Sequence, residues 1–408
     1  MVKQQTGSDK VNLAFISLGG TIGNVYLAKY CNPDDINRIV FAAAAVNGSN
    51  LLGDMMKGAV TLDDPKALYN DVLPNMLKLL SEDNLWLGYL GNILMRFIPN
   101  KVFSDFLTEL TQRVLNEVTG NIMYNCPSMW ALVPSNEYKE LSAKLISDPA
   151  HAALKAKTDA YYEIQKNASE RIKQYVANGM DIFVVSGYNL QLPGLVDSYA
   201  LSSDNIIQST STSLGAVLAP AGEALPEDYV PVIDESYISP DRNVDAGAGA
   251  LPDRTWFVKN QSHLKLQLAV DDTIELCVQI LTNKSITDSR VHNGGYPQFN
   301  SYRNLVPLKY NLHIIEKLTQ QQLDSYSDAT RAELQSVYNA GQDVIKQKVW
   351  DDSYIAVEKQ LETLLDSLGL VYQNTGVNNK PDTKITITKV LSELCNKTCG
   401  AHDFYSFF

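Results

Sequence analysis

A short apolar strand, a turn of small residues and a helix lie near the start of the sequence, and together they indicate the type of fold. Residues 11–16 are apolar and of strand length, Ser17-Leu18-Gly19-Gly20 is the turn, and apolar residues recur at helical spacing from Thr21. A second apolar run, 36–46, ends in turn residues. Because strands joined through one helix by short links run in the same direction, the sequence predicts a βαβ unit and a parallel sheet.

The next segment interrupts the strand pattern with helices. Residues 51–178 predict a long helical insertion that includes three amphipathic segments, 66–80, 85–97 and 102–118. Strand patterns return at 180–186 and 255–259, separated by an irregular segment, and 264–281 predicts a closing helix. We therefore expect an α/β core over residues 1–284 with a helical insertion at about 51–178.

The sequence after residue 284 has a different character. Residues 285–307 are polar with Gly294-Gly295 and predict a linker, whereas 308–370 predict a small all-α bundle of three amphipathic helices. Gly369 stands where the last helix should end. Residues 371–408 predict a helical tail.

Composition excludes several classes of protein. The chain has 34 Lys and Arg against 46 Asp and Glu, a net charge of −12, which argues against a nucleic-acid partner. No run reaches the roughly 18 apolar residues of a membrane helix, so no integral membrane span is expected. Five cysteines do not form a disulfide scaffold. Cys395 and Cys399 lie four apart with no second cysteine pair nearby, so neither a metal site nor a cofactor is predicted.

The turn at Ser17 has the pattern of a nucleophile elbow, in which a serine stands between a strand and a helix. Such a serine needs a histidine base and a carboxylate that orients it. Of five histidines, His263 alone directly follows a predicted core strand and precedes a helix. The loop after strand 180–186 offers Asp197 and Asp204; Asp204 is preferred because an apolar pair and a serine-rich turn follow it, and Asp181 is a weaker alternative.

Four motifs resemble the lipase and lecithin:cholesterol acyltransferase-like branch of the α/β-hydrolases. Ile16-Ser17-Leu18-Gly19-Gly20 is similar to its H-S-M-G-G nucleophile motif, and residues 203–209 resemble G-D-G-x-V-P-x-x-S. His263-Leu264-Lys265-Leu266 resembles its H-x-x-L motif, and Asn47-Gly48-Ser49 matches part of a T-P-x-x-G-S-like turn. The resemblance implies Ser17 as nucleophile, Asp204 as acid, His263 as base, and the backbone N–H of Leu18 as an oxyanion donor. It also implies that the helical insertion is a lid.

The sequence departs from that family in two places. Phe15 stands where the G-x-S-x-G pattern has glycine. Only 16 residues precede Ser17, which leaves the first strand as an apolar sheet edge without the strands that the family places before it. We therefore expect the chain to be the C-terminal portion of a longer protein, with a partial α/β-hydrolase sheet.

Leu323, Tyr326 and Thr330 come before a long predicted helix, and a leucine heptad pattern follows at 361–368. In these signals the C-terminal helices resemble the FIVAR-type three-helix module of extracellular and cell-wall proteins of Gram-positive bacteria. The resemblance implies a secreted or cell-surface parent protein and a cell-surface or cell-wall partner for this module. The first function expected is hydrolysis of carboxylic, lipid or acyl esters, or acyl transfer, by a serine esterase. The second is a catalytically impaired, hydrolase-like surface protein that binds a partner.

Overall fold

The computed structural model describes residues 2–58, 123–192, 196–263, 266, 272–303, 305–347 and 353–370. The chain divides into two units, residues Met1–Leu361 and residues Glu362–Phe408. The predicted amphipathic segments 66–80, 85–97 and 102–118 and the predicted tail 371–408 lie outside the described residues. The features below belong to the first unit, except that the last helix, Ser353–Ser367, continues past its end at Leu361.

A parallel sheet of five strands forms the centre of the described structure. Its strands stand in the order β1-β2-β3-β6-β7, and each neighbouring pair is parallel. A separate antiparallel pair joins β4 to β5. The prediction of a mixed α/β fold with a parallel sheet is therefore confirmed. The strands are β1 Val11–Ile16, β2 Ile36–Ala42, β3 Asp181–Tyr188, β4 Val217–Leu218, β5 Val244–Asp245, β6 Thr255–Lys259 and β7 Phe299–Ser301.

Thirteen described α-helices lie before, between and after these strands in the sequence. The helices before the third strand are α1 Val2–Thr6, α2 Gly19–Lys29, α3 Asn50–Lys57, α4 Pro127–Trp130, α5 Ser135–Leu145, α6 Ala152–Gln165 and α7 Ala168–Ala177. Those after it are α8 Ser209–Thr212, α9 Asp272–Thr282, α10 Val306–Glu316, α11 Gln320–Ser325, α12 Asp328–Lys346 and α13 Ser353–Ser367. None of the described helices is long and apolar enough to cross a membrane.

The central strands are buried on both faces, as their continuous apolar runs predict. Because side chains alternate along a strand, Ile39 and Phe41 of β2 join one core cluster, which includes residues of α2 and α7. Val40 and Ala42 join a second cluster with residues of β6 and α9. The sheet is thus a layer between helices, and its carboxyl ends share one edge, where ligands bind in open α/β sheets.

The structure differs from the sequence prediction at two strands. The second strand ends at Ala42 and not at residue 46, because Ala43 takes a left-handed conformation with φ 46°. The predicted linker 285–307 contains β7, which pairs with β6. Phe299 stacks on Phe257 of β6 with ring centroids 5.7 Å apart, so this short segment has an apolar anchor in the sheet.

Candidate functional site

Ser17 occupies a strained turn between β1 and α2. Its φ is 55°, a left-handed conformation that few residues other than glycine adopt. Three backbone hydrogen bonds hold this turn: Ser17 N–H donates to Ala43 O (3.2 Å), and Ser17 O accepts from Ala45 N–H and Gly20 N–H (both 2.9 Å). Strain of this kind persists only where the surroundings enforce it, and it is common at functional sites.

Glycines on α2 allow the helix to lie close to the strands behind the turn. A Cβ added at Gly20 would lie 2.6 Å from the backbone nitrogen of Ala45. One at Gly23 would lie 2.7 Å from the ring of Phe41 and 3.1 Å from that of Phe15. Phe15, the residue that departs from the family pattern, therefore packs over a glycine on the facing helix.

Asp204 lies fully buried in a tight turn after β3. Leu190 and Ser203 pair through two backbone hydrogen bonds, which bring the chain back to the end of the strand. Oδ1 of Asp204 then accepts hydrogen bonds from the backbone N–H groups of Ile206 (3.1 Å) and Ile207 (2.8 Å). These two donors fix the carboxylate and leave Oδ2 to face another partner.

His263 follows β6 and is 2% exposed. Its backbone N–H donates to Asp204 O at 2.7 Å, which joins the two loops directly. Gly187 permits this approach, since a Cβ there would lie 2.6 Å from Gln261 O and 3.0 Å from the Cβ of Asp204.

The three side chains predicted from the sequence lie together in one hydrogen-bonded chain. Ser17 Oγ is 2.8 Å from His263 Nε2, and His263 Nδ1 is 2.7 Å from Asp204 Oδ2. A neutral imidazole with its proton on Nδ1 donates to the carboxylate and accepts from the serine hydroxyl at Nε2. Ser17 is half-buried while its two partners are buried, so the serine is the member of the chain that solvent can reach. The catalytic roles of these residues stay predictions.

The alternative carboxylates lie elsewhere. Asp197 is exposed in a turn, and Asp181 stands at the opposite end of β3, where it pairs with Arg38 and Arg254. The remaining described histidines pair with carboxylates of their own segments: His151 with Asp148, His292 with Asp288 and His313 with Glu316. His402 lies outside the described residues.

Leu18, the predicted oxyanion donor, immediately precedes α2. Its backbone N–H donates to no acceptor among the described residues. Its side chain is 42% exposed, and those of Ile16 and Ile22 are 41% and 60% exposed. The surroundings of Ser17 therefore combine an available backbone donor with an apolar surface.

The described part of the predicted insertion, 123–178, contacts the elbow helix. Asn24 of α2 donates from Nδ2 to Val46 O (2.8 Å) and to the hydroxyl of Tyr161 on α6 (3.2 Å). Burial raises the pKa of Tyr161 to about 12, so its hydroxyl is neutral at physiological pH. A cavity of about 290 Å³ lies on α5 and α6, and its lining includes no residue of the Ser17–His263–Asp204 chain.

Sequence reasoning gave no role to the turn after β2, residues 47–50. Ser49 Oγ donates to Ile206 O (2.6 Å), and Asn50 N–H donates to Gln208 Oε1 (2.9 Å). The Asn47-Gly48-Ser49 motif was the available signal, but its contact with the Asp204 turn depends on residues 157 positions away.

Among the described residues, no group of three or more His, Cys, Asp or Glu side chains could hold a metal ion. Cys395 and Cys399 lie outside those residues. Comparison of the chain with protein-family models, curated proteins and solved structures found no match.

Proposed function

We propose that this protein is a serine hydrolase that cleaves carboxylic esters of acyl or lipid type through a covalent acyl-enzyme intermediate. The observation that carries the proposal is the continuous hydrogen-bonded chain from Ser17 Oγ through His263 to Asp204. Nucleophilic acyl transfer needs a serine within hydrogen-bond reach of a base that a carboxylate orients, and the strained Ser17 at the carboxyl end of β1, with its base and acid after later strands of the same sheet, supports that chemistry.

The reaction proceeds in two halves. Ser17 Oγ attacks the acyl carbonyl carbon while its proton passes to His263 Nε2, and the carbonyl electrons move onto the oxygen. As the tetrahedral intermediate collapses, the ester C–O bond breaks and the leaving alcohol takes the proton from His263. Water then attacks the acyl-enzyme by the same route, which returns the proton to Ser17 and releases the acid.

Asp204 and Leu18 support these steps without exchanging protons. Asp204 accepts a hydrogen bond from the Nδ1–H of His263, which holds the imidazole in the tautomer that can take the serine proton and stabilises the imidazolium that forms. The backbone N–H of Leu18 stabilises the oxyanion of the tetrahedral intermediate.

The proposal includes the wider setting that the sequence resemblance implies. The scaffold is a partial α/β-hydrolase of the lipase and lecithin:cholesterol acyltransferase-like type, with the insertion 51–178 as its lid. The C-terminal helices form a FIVAR-like module that binds a cell-surface or cell-wall partner. Exposed apolar side chains at Ile16, Leu18 and Ile22 support an acyl substrate, because an alkyl chain would cover them.

The same exposed apolar side chains support a second candidate, a hydrolase-like protein that binds a partner and lacks turnover. These side chains lie at or next to β1, which is an edge strand of the described sheet, and an exposed apolar surface is a feature of interaction sites. The two candidates differ in one property, the reactivity of Ser17.

Labelling with a fluorophosphonate, read by intact mass, tests the proposal. We expect one adduct on the wild-type protein and none on Ser17→Ala, with Ser239→Ala as a control that removes a buried serine of the loop between β4 and β5. Hydrolysis of p-nitrophenyl esters of increasing chain length then gives the acyl preference. A folded wild-type protein that neither labels nor turns over esters would favour the binding protein, and an adduct that persists in Ser17→Ala would refute the assigned nucleophile.

A further inference from the structure

The turn after β2, residues 47–50, contacts the same peptide group that holds the carboxylate of Asp204. Ile207 N–H donates to Asp204 Oδ1 at 2.8 Å, and the carbonyl of that same peptide unit, Ile206 O, accepts from Ser49 Oγ at 2.6 Å. One peptide plane thus has the serine hydroxyl at one end and the carboxylate at the other. Hydrogen bonds in such a chain polarise one another, so the Ser49 bond strengthens the bond to Asp204.

The contact is partly buried, since Ser49 is buried and Ile206 is half-buried, and it has a second point of attachment. Ser49 is 1% exposed and Gln208 is 3% exposed, and Gln208 Oε1 accepts the backbone N–H of Asn50 at 2.9 Å. Removing the hydroxyl of Ser49 would take this hydrogen-bond partner away from the Ile206 carbonyl. The two bonds therefore hold the Asp204 turn in a fixed position relative to the turn after β2.

The turn is itself held from the side of the insertion. Ser49 N–H donates to Leu132 O at 2.7 Å, and Asn47 Oδ1 accepts from the hydroxyl of Ser135 at 2.7 Å. Gly48 has φ 72°, and a Cβ there would lie 2.4 Å from Leu132 O. The position of Ser49 is thus set by contacts with Leu132 and Ser135 that do not involve Asp204, which makes it a fixed reference for the acid.

We propose that Ser49 is a positioning residue of the Ser17–His263–Asp204 site: through the Ile206–Ile207 peptide it aims the Asp204 carboxylate at His263. The inference rests on the proposed function for its kinetic consequence. Its structural consequence, the strength of the Asp204–His263 hydrogen bond, stands independently of any turnover.

The test compares Ser49→Ala with Ser211→Ala. Ser211 is a matched control: it is 2% exposed, donates to Gly48 O (2.8 Å) and accepts from Asn47 N–H (2.9 Å), so it holds the same turn without contacting the Ile206–Ile207 peptide. In ester hydrolysis we expect Ser49→Ala to lower kcat about fivefold, the equivalent of one hydrogen bond of about 1 kcal/mol, with KM unchanged. Ser211→Ala should keep kcat within about twofold.

The second readout is the downfield proton NMR signal of His263 Nδ1–H, followed in the full chain. We expect this signal to move in Ser49→Ala and to keep its wild-type position in Ser211→Ala. Equal losses of kcat in the two variants, or an unmoved His263 signal in Ser49→Ala, would overturn the positioning role. A wild type without esterase activity or phosphonate labelling would refute the proposed function alone, since the NMR comparison would still decide whether Ser49 positions Asp204.

Discussion

Replacing Gly20 by alanine tests whether the elbow depends on a close approach of α2 to the loop after β2. The added Cβ would lie 2.6 Å from the nitrogen and 2.9 Å from the carbonyl carbon of Ala45, and 3.0 Å from the carbonyl carbon of Ala44. These are backbone atoms, so the overlap cannot be relieved by turning a side chain. The same loop donates the Ala45 N–H that holds Ser17 O, so its displacement acts directly on the nucleophile.

The neighbouring glycine supplies the control. A Cβ at Gly19 would meet only the Cβ of Phe15, at 3.7 Å, an ordinary contact. Gly19→Ala should therefore stabilise the protein by about 0.5–1 kcal/mol, because alanine restricts the unfolded chain and favours helix. Gly20→Ala loses that gain to overpacking of about 1–3 kcal/mol. We expect the two variants to differ in free energy of unfolding by about 1–3 kcal/mol, with Gly20→Ala the less stable.

Urea unfolding followed by tryptophan fluorescence measures the difference, since Trp256 and Trp130 are both buried. Fluorophosphonate labelling gives the effect on the site: a shift of the elbow approaching 1 Å should lower the rate about 10- to 100-fold in Gly20→Ala, with Gly19→Ala close to wild type. A Gly20→Ala protein that matches Gly19→Ala in both stability and labelling would refute the argument from close approach.

Three further predictions concern charged side chains. Asp204→Asn should lower the labelling rate by roughly 10³- to 10⁴-fold, whereas Asp197→Asn should leave it unchanged; the reverse result would exchange the two assignments. Burial would raise the pKa of Asp288, but hydrogen bonds, led by that from Val291 N–H, lower it to about 2. The ionised carboxylate therefore stabilises the folded protein fully above about pH 4, and this stabilisation is lost as the pH falls towards 2. The melting temperature of Asp288→Asn should therefore fall less steeply than that of the wild type as the pH is lowered, and identical profiles of melting temperature against pH would contradict this. Arg38→Met should lower the free energy of unfolding, measured in urea, by about 2–4 kcal/mol. The buried guanidinium donates to the carbonyl of Ile280 in α9 and to that of Asn283, which follows the helix. A loss below about 0.5 kcal/mol, the scale of an exposed ion pair, would contradict the burial argument.

The sequence predicted those parts of the site that local patterns specify. The strand, small turn and helix around Ser17 are contiguous, and each has a recognisable periodicity, so both the elbow and the parallel sheet follow from them. His263 was found by the order of elements alone, since the other described histidines do not follow a core strand directly.

The remaining features depend on contacts between distant segments. Asp204 and Asp197 share one loop, and the turn that brings Ile206 and Ile207 N–H onto the Asp204 carboxylate is a structural difference between them. The strand β7 has three residues in a polar segment, and its identity rests on pairing with β6. Neither the pairing of short strands nor a turn of this kind has a periodicity that a sequence can display.

The crowding at the elbow shows how a departure from a sequence pattern can be accommodated. A glycine two residues before the serine leaves room between strand and helix from the strand side. Here the strand carries Phe15, and the room comes from the helix: Gly23 leaves space for the rings of Phe15 and Phe41, whose centroids are 5.1 Å apart. The left-handed Ser17 and its short bond to His263 coexist with Phe15 for that reason. A bulky residue at position 15 is therefore compatible with this turn as long as position 23 remains glycine.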